Sequence, residues 1–126
     1  MKKFLLVFLC TIIFTATAFA EDKGSDVRIR AALSSGRPTV VDFGAGQCIP
    51  CKRMKPILDS LAREFRGRAN VIFVDIKDER NMAGRYHIQL IPTQVFFDAK
   101  GKEVKRHMGF MDKPEIISVF KELSVK

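Results

Sequence analysis

Residues 21–126 predict an α/β domain in which a mixed central sheet is flanked by helices. Three observations carry that class. Thr39–Phe43 (TVVDF) and Val71–Ile76 (VIFVDI) are short β-branched and apolar runs, suited to strands buried on both faces. Between them, Ile49–Phe65 sets Met54, Ile57, Leu58, Leu61, Ala62 and Phe65 three and four residues apart, one inward helical stripe. Finally, Asp98-Ala99-Lys100-Gly101 separates Thr93–Phe97 (TQVFF) from Glu103–Met108, a hairpin signal in which Gly supplies the positive φ of the turn.

The remaining elements follow in chain order. Ser25 or Asp26 is a suitable cap for a helix running to about Leu33, and Ser34-Ser35-Gly36-Arg37-Pro38 breaks it. Gly44-Ala45-Gly46 reads as the turn between the first strand and the long helix, inside which Pro56 removes one hydrogen bond. Glu79–Arg85 is a short helical stretch. A closing C-terminal helix over Pro114–Leu123 offers Ile116, Ile117, Val119, Phe120 and Leu123 for burial. The order is α-β-α-β-α-β-β-α. Strands separated by helices imply right-handed parallel crossovers, with the hairpin as an antiparallel edge.

The first twenty residues have a different character. Lys2 and Lys3 precede an apolar run from Phe4 to Phe14, and Ala18-Phe19-Ala20 closes it, the layout of a secretory signal peptide cleaved after Ala20. The run is shorter than the ~20 apolar residues that cross a bilayer. Residues 1–20 are thus expected to be removed and residues 21–126 to reach the periplasm as one domain with one core. The leader holds two of the 22 basic residues and none of the 14 acidic ones, which leaves 20 against 14, a net +6. Export and the scatter of Lys and Arg exclude nucleic acid as the partner. Cys10 goes with the leader, so Cys48 and Cys51 are the cysteines that remain. A ring closed two residues apart restrains little of the unfolded chain, so the pair is chemical rather than a staple.

Cys51 is followed by Lys52 rather than His, which excludes a c-type haem motif, and no second cysteine pair completes a zinc site. No metal or cofactor is therefore expected. VVDFGAGQCIPCK at 40–52, Ile91-Pro92-Thr93 about forty residues later, and Gly109 at the end of the last strand together resemble the thioredoxin family. The resemblance covers Asp26 to Leu123 and implies a thioredoxin-like fold with a redox-active Cys48–Cys51 disulfide. Cys48, at the junction of strand and helix, faces unpaired N–H groups and the positive end of the helix dipole, which favour a thiolate. Cys48 is the expected nucleophile and Cys51 the resolving thiol, acting through a mixed disulfide. By the same resemblance Pro92 is a cis-proline beside the pair and Ile91 offers its backbone to an extended substrate. Ile49 and Pro50 complete the expected substrate-binding surface. Asp42 interrupts an apolar strand and matches the family's buried acid, expected to have a raised pKa and to exchange a proton with Cys51.

The chain also departs from the family. Gly44 and Gln47 stand where thioredoxins carry Trp, the chain has no Trp, and Phe73 stands where a Lys often lies near the buried acid. The activity expected is that of an exported monomeric oxidoreductase reducing protein or cytochrome-apoprotein disulfides. It would draw electrons from a membrane thiol carrier, because cytosolic NADPH is out of reach. A disulfide-forming oxidase is the alternative, disfavoured by Ile49-Pro50 between the cysteines and by Ile91 before Pro92. A non-catalytic chaperone or assembly subunit is a third reading.

Overall fold

A computed structural model of the chain describes residues 24–126. The leader expected over residues 1–20 lies outside the described residues. The elements are α1 (Ser25–Leu33), β1 (Thr39–Gly44), α2 (Ile49–Glu64), β2 (Asn70–Asp75), α3 (Arg80–Arg85), β3 (Thr93–Phe97), β4 (Glu103–Met108) and α4 (Lys113–Glu122), in the predicted order. The four strands form one sheet in the order β2-β1-β3-β4.

Side-chain alternation along β1 divides the interior in two. Val40 joins Met54, Leu58, Leu61, Phe65, Phe96, Ile116, Val119 and Phe120 in a core under α2 and α4. Val41 and Phe43 join Ile29, Ala32, Ile72, Val74, Met82, Val95 and Phe97 in a core under α1 and α3. The first apolar run is buried on both faces because helices cover both sides of the sheet there, whereas β2, at the sheet's edge, buries Ile72 and Val74 on one face and leaves Val71 and Phe73 half-buried on the other.

The strand directions correct one expectation. β1 pairs with β2 in parallel, but β3 runs antiparallel to β1 and hence to β2. The stretch from β2 to β3 is not a parallel crossover: its helix α3 has only six residues, about 9 Å, too short to lie along strands of about 20 Å. It passes over the end of the sheet instead.

Three local readings change as well. Gly24, at φ 118°, is the N-cap of α1, and neither Ser25 nor Asp26 caps it. Ser25 donates from its Oγ to Glu79 Oε1 at 2.5 Å and from its backbone N to Oε2 at 2.9 Å, which ties α1 to the approach to α3. Asp26 is buried as an ion-pair partner of Arg30 and of Arg85, at 2.6 Å from the latter. α4 begins at Lys113, one residue earlier than Pro114, because Asp112 and Glu115 close a capping box around its first turn.

Phe120 joins α4 to both neighbours in its core, with ring centroids 5.1 Å from Phe65 and 6.4 Å from Phe96, each edge-on. Phe120→Ala is expected to cost about 3–5 kcal/mol, seen as a lower urea midpoint at unchanged slope. A loss below ~1 kcal/mol would show that α4 is not held by this side chain.

Candidate active site

The site grows from the C-terminal end of β1. Gly44 pairs with Asp75 at the top of the parallel ladder, and the chain leaves the sheet through Ala45–Gln47. Gly46 N donates to Asp75 Oδ2 at 3.0 Å, and Lys77 Nζ donates to Gln47 Oε1 at 2.9 Å, so the β2–α3 segment holds this loop from one side. Gly44, expected in a turn, is the last residue of β1. A Cβ there would lie 3.0 Å from the Phe73 ring and 3.2 Å from both Cβ and Sγ of Cys51. Glycine makes room for the inner cysteine.

Cys48 is the N-cap of α2, at φ −76° and ψ 121°, and its Sγ accepts from the Cys51 N–H at 3.3 Å. The sulfur thus occupies the position in which Ser or Asp oxygens satisfy a helix's first amides. Pro50 fits the first turn, where its missing N–H is not needed. Cys48 and Cys51 are joined as a disulfide with Cα atoms 5.1 Å apart. They differ in access: Cys48 is half-buried and Ile49 beside it is 73% exposed, whereas Cys51 is 2% exposed.

Asp42 lies two residues before Gly44 on the same face of β1, fully buried. Its register neighbours are Phe73 of β2 and Gln94 of β3. Gln94, also fully buried, donates from Nε2 to Asp42 Oδ1 at 2.7 Å, while Asp42 Oδ2 and Gln94 Oε1 have no partner among the described residues. Burial pushes the Asp42 carboxyl up to about 6, and the Gln94 bond opposes that rise. Gln94 was not among the residues expected here. The signal for it was a Gln inside the otherwise apolar run that follows Thr93 in TQVFF, and the register of β3 on β1 places it opposite Asp42.

Pro92 follows a cis peptide bond from Ile91. It is buried next to Thr93, which pairs with Phe43, so Pro92 stands beside the end of β1 from which the cysteine loop departs. Thr93 Oγ1 donates to Leu90 O at 2.6 Å and Gly109 N to Pro92 O at 2.7 Å, fastening the turn on both sides. Ile91 makes no backbone–backbone hydrogen bond among the described residues, which leaves its amide and carbonyl available. Leu90 (52% exposed) and Met108 (60% exposed), the latter opposite Thr93 in the β3–β4 ladder, are exposed apolar side chains at this turn that were not among the expected residues. Arg53 lies 4.3 Å over the Phe110 ring and ties the first turns of α2 to the segment after Gly109.

A dithiol at a helix N-terminus, a buried acid and a cis-proline at the end of one sheet match known proteins. A family model described as Thioredoxin covers residues 23–122. The chain belongs to the thioredoxin family. It is 32% identical over 97 residues to thioredoxin of Staphylococcus aureus, covering 77% of this chain and 91% of that one. It is 33% identical over 109 residues to the bifunctional thioredoxin reductase/thioredoxin of Mycobacterium leprae, covering 82% of this chain but only 24% of that longer protein. Among solved structures, chloroplastic thioredoxin z superposes with a TM-score of 0.69 at 27% identity, over 82% of this chain and 91% of its own. Fasciola hepatica thioredoxin does so with 0.65 at 30% identity, over 77% and 90%. With the Cys48–Cys51 pair in place, this thioredoxin-family chain is a thiol–disulfide oxidoreductase of the kind that acts on protein disulfides.

Among the described residues no group of three His, Cys, Asp or Glu side chains could hold a metal ion. His107 is instead engaged through Nε2 with Phe110 O at 3.1 Å.

The raised Asp42 pKa has a definite sign in stability. The folded protein holds this proton up to about pH 6, the unfolded chain only up to about 3.9. Stability is therefore lost as pH rises through that window. Asp42→Asn, which mimics the neutral acid, should stabilise the protein at pH 8 by on the order of 2–3 kcal/mol and leave it unchanged at pH 3. Thermal melts of both proteins at the two pH values decide; an equal gain at pH 3 would assign it to packing instead.

Proposed function

We propose that the protein is exported to the periplasm and there reduces protein disulfides through a mixed-disulfide intermediate. The observation that carries this reading is the unequal setting of the two cysteines: Cys48 half-buried at the helix N-cap with an amide aimed at its sulfur, Cys51 shielded beneath it. The amide and the positive end of α2 favour a thiolate on Cys48 once the pair is reduced.

The Cys48 thiolate attacks one sulfur of a substrate disulfide. That S–S bond breaks, one substrate thiolate leaves, and Cys48 is joined to the other substrate sulfur. Asp42, as carboxylate, takes the proton of Cys51, and the resulting thiolate attacks Cys48 Sγ. The mixed disulfide breaks, the second substrate thiolate leaves, and Cys48–Cys51 forms. The substrate gains two electrons and the protein loses two. The free backbone of Ile91 and the exposed apolar side chains of Ile49, Leu90 and Met108 suit an extended, partly apolar substrate segment. Returning the protein to its dithiol requires a thiol donor. For an exported chain, a membrane thiol carrier that receives electrons from the cytosol meets that need. The Lys-rich start, apolar run and Ala18-Phe19-Ala20 motif support export. We read the protein as acting as a monomer.

Cys51→Ser should accumulate mixed disulfides with substrate proteins, separable on a non-reducing gel and dispersed by reductant, while Cys48→Ser yields none. Thiol trapping in intact cells should find the pair predominantly reduced. A predominantly oxidised pair would reverse the direction and make the protein a disulfide-forming oxidase.

A further inference from the structure

Asp42 is held in an unusual way. It faces α2 from β1, and among the described residues none of the elements around it supplies a counter-charge. β2 contributes the Phe73 ring. From α2, Cys51 stands against Gly44, two residues farther along the same face of β1, while Lys55 and Asp59 pair with each other at 3.7 Å on the exposed side. One strand beyond β3, His107 of β4 is engaged by the Phe110 carbonyl, and Lys105 pairs with Glu122 of α4 at 3.8 Å. Glu115 at the start of α4 is committed to its capping box. Gln94 is the one polar side chain bonded to the carboxyl, across the β1–β3 ladder at 2.7 Å.

We propose that Gln94 is the positioning residue for the proton that passes between Asp42 and Cys51. The inference rests on the proton exchange described under the proposed function. The amide N–H holds Oδ1, so Oδ2 is the oxygen that takes up and releases the proton. Among the described residues, Oδ2 and Gln94 Oε1 are both buried acceptors without a partner, on two side chains already joined through Nε2 and Oδ1. A proton on Oδ2 would supply the donor that this pair lacks, with the amide carbonyl as its acceptor. One side chain thereby serves both charge states: its N–H the carboxylate, its carbonyl the acid. A hydrogen bond to a charged acceptor is roughly twice as strong as a neutral one. Losing the amide therefore harms the carboxylate more than the acid.

The test uses Gln94→Met, close in length and volume. In the reduced protein, Asp42 is titrated by carboxyl-carbon NMR, and the resolution of a preformed mixed disulfide is followed from pH 5 to 9. The Asp42 midpoint should move upward by about one pH unit or more. Resolution should slow several-fold at pH 6 and recover at pH 9. In an Asp42→Asn background, Gln94→Met should leave the profile where it was. An unmoved midpoint, or the same change in that background, overturns the assignment to Gln94 while the role of Asp42 stands. If Asp42→Asn alone leaves the profile unchanged, the proton-exchange reading falls and this inference with it. The unsubstituted protein gives a further check that needs no variant: the infrared carbonyl band of protonated Asp42 should lie at the frequency of a hydrogen-bonded acid. A band of an unbonded acid would overturn the proposal.

Discussion

The position of β1 is the constraint on which the other parts depend. It is a central strand, paired on both edges and buried on both faces, so its residues have almost no freedom to shift. Its last residue delivers the chain to the N-terminus of α2, its inward face carries Asp42, and its partner β3 begins directly after Pro92. The dithiol, the acid and the cis-proline therefore share one rigid reference. A displacement of β1 by one residue would turn Asp42 to the opposite core and undo the arrangement at once.

Charge at the site is managed with few charged groups. The outer sulfur is served by a backbone amide and a helix end, and the inner acid by a neutral amide. Phe73 stands in register beside the acid and brings only hydrocarbon. Such an interior keeps the carboxyl neutral to a higher pH than water would, and the buried group weakens the fold once ionised.

Much of this was legible in the residues. TVVDF and VIFVDI read as strands, fully buried in the first case and on one face in the second, and the three-and-four spacing in Ile49–Phe65 marked one inward side. Asp42 declared itself as an acid in an apolar run. Cys48 and Cys51 were readable because their spacing and their place between a strand and a helix are local, and Pro92 through the resemblance to the family. The direction of β3 was not, since strand order and sense depend on how far a connection reaches in space. Nor was Gln94, whose meaning arises from a ladder between strands fifty residues apart. Gly44 looked like a turn residue because the reason for its bareness, the nearby sulfur of Cys51, lies in another element. The place of Met108 opposite Thr93 likewise exists only once β4 is laid beside β3.

The short passage over the sheet, which reverses β3, has a wider effect. It gathers the end of β1, the end of β2, the start of β3 and the end of β4 at one pole. The opposite pole receives the turns at 34–38, at 66–69 and at 98–102, the C-terminal end of α1 against Gly101, and the close of α4. The pole that carries Cys48 and Pro92 is thus separate from the pole where the chain reverses. Changes in the far turns meet local limits of their own, such as Gly101, where an added Cβ would lie 2.9 Å from Leu33 O, at the opposite end of the strands from the disulfide.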